Sequence, residues 1–352
     1  MPTKANWDPP VNISRPSAWV WARETGGHRQ GASGDALLST DGDAALDSSA
    51  QQEERKTVAK SIVVIGNFDG VHTGHAELLQ HAQSLDPELP IMVVTFWPHP
   101  MAVLRPGRQP KLLGDLTDRI ELLKRAGARE VRVVQFTRDV SVWSPDEFVD
   151  RIIAPLDPAW VVVGENFRYG YRAAGTADTL RASGQGRFQV EAVQLVQVDG
   201  ESTCSTRIRA ALEEGDVETA ARHLGRPFRV RGVVVVGDQR GRDLGFPTAN
   251  LPVSDEMAVP ADGVYAGWLT PLVPGGERMP AAISVGTNPT FNGMERRVET
   301  YVLDRDDLQL YGVEIAVDFV SRIRGQVAFT GIEALVEQMT RDVDQIRDLL
   351  SR

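Results

Sequence analysis

Gly66-Asn67-Phe68-Asp69-Gly70-Val71-His72-Thr73-Gly74-His75 sets two imidazoles three residues apart, where a hydrophobic run gives way to a helical pattern. Residues 61–65 read as a short buried strand, and 77–83 begin a helix with Leu78 and Leu79 inward. His72 and His75 then fall in or near the first helical turn, where residues three apart share a face. The unpaired N–H groups and positive dipole end of that turn favour an anion. Gly66, Gly70 and Gly74 remove the Cβ atoms that would keep backbone donors away from phosphate oxygens. Gly66, Asn67, Phe68 and Gly74 are the candidate nucleotide contacts, with Asn67 orienting the nucleotide from the strand end. The chemistry on offer is binding of, and attack on, a nucleotide phosphate.

An H-x-x-H pair is also half of a zinc site. The chain has six histidines and one cysteine, and no third and fourth ligand stand at a recognisable spacing. Two structural histidines are the default reading of H-x-x-H alone. The glycines and the Asn-Phe-Asp-Gly context favour the phosphate site.

The elements that must position these residues alternate. Strands are expected at 62–65, 91–96, 131–136 and 160–164, with helices near 77–84, 117–126 and 145–153. Such alternation predicts a parallel sheet with helices on both faces, whose ligands sit at the carboxyl ends of strands. His72, His99 and Asn166 all follow strand ends. Thr95-Phe96-Trp97-Pro98-His99-Pro100 reads as an extended turn fixed by two prolines. Asn166 and Arg168 lie in a Gly-bounded loop, where Asn166 offers donor and acceptor to a ring edge. Ser205, Thr206 and Arg207 precede a helical stretch at 208–214, so Ser205 or Thr206 is a natural N-cap. The same groups can hold departing phosphates.

After residue 224 the pattern changes to short β-rich runs at 228–236, 263–269, 281–286, 297–303 and 314–323, which predict an antiparallel barrel. A terminal helix over Ile332–Leu350 follows, with Leu335, Met339, Val343, Ile346 and Leu350 on one stripe. Gly237, Gly241 and Gly245 space a loop that also carries Arg242, without the G-K-[ST] ending of a Walker A motif. In the extended run Phe246-Pro247-Thr248-Ala249-Asn250, Thr248 and Asn250 project to one face. Two neutral oxygen ligands side by side suit magnesium carrying phosphates.

Together, His72-Thr73-Gly74-His75, Thr95 to Pro100, Val163 to Gly170, Ser205 to Arg209 and Gly241 to Asn250 resemble, in order, the blocks of the bifunctional riboflavin kinase/FAD synthetase family. The resemblance runs from about residue 59 to the C-terminus. It implies a Rossmann-like α/β nucleotidyltransferase domain followed by a small antiparallel β-barrel flavokinase domain with a C-terminal helix. The expected boundaries are 1–58 for a disordered extension, 59–224 for FMN adenylyltransferase and 225–352 for riboflavin kinase. It also implies substrates and products (riboflavin, FMN, FAD and ATP) and Mg2+. His72, His75 and Arg207 are then catalytic for adenylyl transfer, with Ser205 and Thr206 on the phosphates and His99, Asn166 and Arg168 facing flavin. Glu299 is the matching base or orienting acceptor of the kinase, Thr248 and Asn250 its metal ligands, and Gly237, Gly241, Arg242 and Gly245 its nucleotide loop. Pro289, Thr290, Arg322 and Arg324 are the expected flavin contacts. Cys204 stands where the pattern expects a serine, and Gly325-Gln326 departs from the more charged sequence of many members.

Composition bounds the rest. A chain of 352 residues accommodates two domains with separate cores. A formal net charge of −10 argues against nucleic-acid binding, which depends on Lys and Arg displacing counterions. The single Cys204 excludes an internal disulfide and fits a reducing cytoplasm. No apolar run approaches the roughly 18–20 residues that span a bilayer, so no membrane partner is expected; a homo-oligomer stays open. Residues 1–58 lack apolar periodicity and read as a disordered leader, in which Trp7, Trp19 and Trp21 leave room for a docking motif. A single-activity enzyme, a flavin-binding regulator without turnover, and a cytidylyltransferase-like enzyme remain as alternatives.

Overall fold

Alternate residues of the first strand, β1 (Ser61–Ile65), face two different cores: Ile62 and Val64 join one cluster, Val63 and Ile65 the other. A strand that is buried on both faces belongs in the middle of a sheet covered on each side. β1 does lie at the centre of a five-stranded parallel sheet, ordered β3-β2-β1-β4-β5. Its neighbours are β2 (Ile91–Trp97), β3 (Glu130–Gln135), β4 (Pro158–Gly164) and β5 (Gln189–Val193). The structure, a computed structural model, describes residues 60–194, 197–198, 200–237, 241, 244–290 and 293–351, with only the backbone at 288–290 and 293–295. The leader expected over 1–58 lies outside the described residues.

Helices α1 (Thr73–Leu85), through Leu79, and α3 (Leu116–Arg125), through Leu123, cover the face that includes Ile62. Between them α2 (Pro100–Leu104) follows β2. The opposite face is covered by the 138–156 region and by Leu180 of α6 (Ala177–Ser183). In that region α4 (Arg138–Ser141) and α5 (Pro145–Phe148) lead into a π-helical turn at Val149–Ile153. The helix expected over 145–153 is therefore one α turn continued by a wider one. A short hairpin, β6 (Gln197–Val198) and β7 (Glu201–Ser202), precedes α7 (Ser205–Glu214) and α8 (Val217–Leu224).

The second sheet has six antiparallel strands: β8 (Phe228–Val233), β9 (Thr248–Pro252), β10 (Gly263–Pro271), β11 (Met279–Thr290), β12 (Gly293–Val302) and β13 (Glu314–Arg324). Their order is β8-β13-β10-β11-β12-β9. The sheet curls until its edges meet, where the Val235 N–H donates to Asn250 O at 2.9 Å. The first strand stops at Val233, short of the expected 236, because the chain leaves the ladder for this single bridge.

The barrel core is shared. Ile208 and Leu212 of α7 and Val217, Ala220 and Leu224 of α8 pack in the same cluster as Phe228, Tyr265, Ile283 and Phe319. Packing thus ties the segment just before residue 225 to the barrel. Further links join the two sheets: Leu112 exchanges backbone hydrogen bonds with the 256–258 segment, and Arg231 of β8 meets Asp118 of α3 at 3.3 Å. The C-terminal helix (Ile332–Leu350) packs Val343 and Ile346 onto Val264 and Ala266. Leu335 and Met339 of the expected stripe are only half-buried. Among the described residues no helix is long and apolar enough to cross a membrane.

Candidate active sites

The strand order reverses between β1 and β4, which is where an open α/β sheet forms its ligand crevice. The loop after β1 fills that position with a tight backbone. Phe68, Gly70 and Val71 all have positive φ, at 51°, 80° and 39°. For Phe68 and β-branched Val71 such angles cost about 1–3 kcal/mol each and persist only where the surroundings impose them. Phe68 is held by burial, with 1% exposure, and a Cβ on Gly66 would stand 2.9 Å from its ring.

His72 is the N-cap of α1, and His75 sits on the first turn. Their rings stack at 3.6 Å between centroids, and the His72 N–H donates to His75 Nδ1 at 3.3 Å. With Nδ1 accepting, the neutral His75 ring carries its proton on Nε2, free to donate. Burial, reinforced by the charge of Arg226, lowers the His72 pKa to about 4, and burial likewise holds His75 well below the ordinary histidine value. Shifted in this direction, both rings are neutral at pH 7, and each carries one N–H and one bare ring nitrogen. Among the described residues, His72 Nδ1 and Asn67 Oδ1 are buried without a hydrogen-bond partner. A bound polar ligand would satisfy such groups.

Residues not singled out in the sequence hold this loop. Asp69, 2% exposed, accepts the Leu113 N–H at 3.0 Å and pairs with Arg209; the Arg119 guanidinium lies 3.6 Å away. Arg119 is itself 2% exposed, donates to Phe96 O at 3.1 Å and lies over the Trp97 ring. Asp69 was visible in the first motif and Arg209 in the fourth, but their pairing across about 140 residues left no local signal. Nothing around Arg119 marked it.

The N-terminus of α7 comes to the same loop. Its N-cap is Cys204, with no side-chain cap, and Ser205 is the first helical residue, so the expected cap at Ser205 or Thr206 is corrected. Ser205 Oγ instead donates to Asp69 O at 2.9 Å, because the helix begins three residues earlier than its apolar pattern. Two helix N-termini, of α1 and α7, therefore converge here, an arrangement suited to anions. Thr206 is exposed, and Arg207 pairs with Glu201 of the hairpin. That pair is largely exposed and contributes at most about 1 kcal/mol.

His99 caps α2: its Nδ1 accepts the Met101 N–H at 3.1 Å, and Pro100 opens the helix. The extended turn expected from 95 to 100 is thus strand, a cis Trp97–Pro98 bond and a helix start. Burial lowers the His99 pKa, and Asp69 opposes this. Asn166 and Arg168 are exposed in the turn after β4, where Arg168 donates to Phe167 O at 2.8 Å.

In the barrel, register decides the geometry. Glu299 of β12 stands opposite Asn250 of β9, and Ser284 opposite Glu299, so the three side chains share a face. Asn250 is buried; its Nδ2 reaches Thr248 O at 3.3 Å and Oγ1 at 3.4 Å, and its Oδ1 has no partner among the described residues. A Cβ on Gly237 would come 2.4 Å from Asn250 Cγ, so only glycine lets this backbone close over the amide. Gly241 packs as tightly against Phe246 O, and Gly245 has φ 85°. Arg242 lies outside the described residues. Thr248, Asn250 and Thr300 line a cavity of about 90 Å3 with Leu310 and Tyr311. Thr300 Oγ1 is also buried and, among the described residues, has no partner; no motif marks it beside Glu299. Pro289 and Thr290 lie at the end of β11, opposite Met294 and Gly293.

Arg322 and Arg324 have structural partners. Arg322 donates to Glu214 O at 2.9 Å and Asp262 O at 3.2 Å, and Arg324 pairs with Asp342 of the C-terminal helix at 2.6 Å. Gln326 pins the following loop to β11 through Ser284 Oγ and Val285 O.

Comparison with known proteins gives both halves a counterpart. A family described as FAD synthetase matches residues 54–207, and one described as riboflavin kinase matches 224–350. The bifunctional riboflavin kinase/FMN adenylyltransferase of Bacillus subtilis is 35% identical over 292 residues, 81% of this chain and 90% of that protein. Its Escherichia coli K12 counterpart is 34% identical, covering 80% of this chain and 90% of that protein. A crystal structure named as a macrolide-efflux protein from Streptococcus pneumoniae superposes with a TM-score of 0.75 at 34% identity, over 82% of this chain and 94% of that one.

Proposed function

The chain belongs to the bifunctional riboflavin kinase/FMN adenylyltransferase family and carries both enzyme activities, and from that premise we propose how its residues divide the work. Residues 59–224 adenylylate FMN and residues 225–352 phosphorylate riboflavin. The observation that carries the assignment is that both signature pairs stand assembled, His72 against His75 and Asn250 opposite Glu299.

In the kinase step the ribityl 5′-oxygen attacks the γ-phosphorus of ATP; the bond to ADP breaks and the hydroxyl proton leaves. Glu299 accepts or orients that proton. The glycines at 237, 241 and 245 let the backbone approach the phosphates. Thr248 and Asn250 fit a magnesium ion: they are neutral oxygen donors, the buried Asn250 Oδ1 lacks a partner, and Mg2+ takes most of its ligands from phosphate and water. Bound there, Mg2+ would neutralise charge on the triphosphate. Pro289 and Thr290 contact the flavin, while Arg322 and Arg324 serve structure.

In the second step a phosphate oxygen of FMN attacks the α-phosphorus of ATP and pyrophosphate leaves. The nucleophile is already ionised, so the site contributes positioning and charge stabilisation. Neutral His72 and His75 donate N–H groups to phosphate oxygens between the two helix N-termini. Ser205, Thr206 and Arg207 hold the pyrophosphate end, with Arg207 exchanging Glu201 for phosphate. His99, Asn166 and Arg168 border the flavin. The single cysteine and the need for ATP support a cytoplasmic setting.

The test is to incubate the protein with riboflavin, ATP and Mg2+ and separate the flavins by chromatography over time. FMN that rises and gives way to FAD is expected. Flavin binding without conversion would favour a regulator, and FMN alone would confine activity to the barrel.

A further inference from the structure

The carbonyls of Gly70 and Val71, the last two before His72, are both held by one guanidinium from beyond the adenylyl-transfer domain. Arg226 Nη2 donates to Gly70 O at 2.6 Å, and Nη1 to Val71 O at 3.0 Å and Leu224 O at 3.1 Å. A contact in the other direction completes the clasp: Thr73 Oγ1, just after His72, donates to His223 O at 2.9 Å. His223 is fixed in turn by Thr203 Oγ1 at 3.0 Å from its Nδ1. Residues 223–226 therefore grip both sides of His72. They lie past the end of the FAD synthetase match at 207, and all but His223 fall within the riboflavin kinase match from 224.

The grip acts where the backbone most needs it. Gly70 and Val71 both have positive φ, and Val71 is β-branched, so the loop would relax if released. Fixing two successive carbonyls fixes the peptide planes that aim the His72 ring at its stacked partner. The anchor is firm on its own side: Gly225, at φ 71°, ends α8, and the Arg226 N–H donates to Ala221 O at 3.2 Å. α8 in turn packs in the barrel core.

We propose that Arg226 is a positioning residue for FAD formation, by which the barrel-anchored junction sets the geometry of His72. The proposal rests on the assignment of His72 to the adenylyl-transfer site. It follows that this site is complete only when the chain beyond residue 224 is folded. Electrostatics adds a second consequence. The charge of Arg226 follows burial as a cause of the lowered His72 pKa; His223 and Arg209 add smaller effects, the neutral His75 ring stacks on His72, and the Asp69–Arg119 cluster lies beyond it. Arg226 also lines a cavity of about 310 Å3 between α3 and the barrel, so a shorter side chain can be accommodated without a clash.

Full-length Arg226→Gln, Arg226→Lys and His72→Ala separate the ideas. In Arg226→Gln, kcat for FAD formation should fall about 10²-fold, the cost of a small misplacement of a catalytic group. The KM for FMN should change little and FMN formation should match wild type. The acid limb of the FAD-forming pH profile should move up, because a positive charge near His72 is gone. Arg226→Lys keeps that charge but reaches one carbonyl instead of two, so its acid limb should stay in place with a smaller loss of kcat. Wild-type FAD formation in Arg226→Gln, or equal loss of both activities with a lowered melting temperature, would overturn the positioning role. His72→Ala is the control: retained FAD formation there would refute the site assignment and the brace with it. Loss there beside a wild-type Arg226→Gln would refute the brace alone.

Discussion

The two sites handle the same cosubstrate and are built in opposite ways. The adenylyl-transfer site stands on a loop and two helix starts, and its backbone is strained. It is held in place by a buried charge cluster and by a guanidinium from the neighbouring domain. The proposed kinase pair, Asn250 and Glu299, stands on adjacent strands, where the hydrogen-bond ladder sets the two residues opposite each other. In the first case side chains with no part in the chemistry carry the geometry; in the second the backbone does. Removing a member of the buried charge cluster should therefore damage the first site and the fold together, whereas the second site should lose function without losing stability.

The sharpest test of that contrast is Asp69→Ala against Asn250→Ala. Asp69 is the buried counter-charge of Arg209 and stands beside the fully buried Arg119. Removing one partner of such a pair costs about 3–5 kcal/mol, because the remaining charge is uncompensated. Among the described residues the Asn250 side chain makes two long hydrogen bonds, at 3.3 and 3.4 Å, and leaves its Oδ1 unpaired. Its removal should cost about 1 kcal/mol or less. Denaturant titration of the two variants reads the difference directly, and equal losses would erase the contrast.

Activity gives the next effect. His75→Ala should reduce FAD formation by about 10²–10³-fold, the usual cost of one transition-state donor, and spare FMN formation. Asn250→Ala should do the reverse. Time courses started from riboflavin and, separately, from FMN distinguish the two. Parallel loss of both products in either variant would mean that the chemistry is not divided between the domains as assigned.

What the sequence made legible follows the same divide. The alternation at 62–164 and the short runs after 228 were enough to expect a parallel sheet followed by an antiparallel barrel, because hydrophobic period is a local property. The H-x-G-H pair and Thr248-Ala249-Asn250 were legible for the same reason: each lies within one short segment. Strand β5 and helix α8 escaped notice, since 189–193 is only half-buried and 217–224 is short. The start of α7 at Ser205 is not legible from its apolar period, which begins only at Ile208. Arg119, Arg209 and Arg226 were illegible as parts of a site. Their partners are backbone carbonyls and a carboxylate far along the chain, and no spacing rule reports such pairings.

A smaller effect, on acid stability, follows from where the histidines fall. None of the six lies after residue 223, so the kinase domain has no imidazole to titrate. His72 is buried and neutral, with its pKa lowered from 6.5 to about 4. Between those values the unfolded chain binds the extra proton and the folded one does not, so stability rises with pH across that window. The contribution is complete above about pH 6.5 and is lost progressively as pH falls towards 4. Between pH 7 and pH 5 the loss from His72 alone is about 2 kcal/mol, and His75, shifted in the same direction, adds to it. His72→Gln keeps a polar side chain of similar reach without the titration, so its stability should fall less steeply over the same interval. Denaturation midpoints of wild type and His72→Gln at pH 7, 6 and 5 give the two slopes. Parallel slopes would mean that His72 is not held neutral by its surroundings. Two neutral donors would then be the wrong description of the adenylyl-transfer site, which would instead present a cation to the phosphates, the role proposed for Arg207.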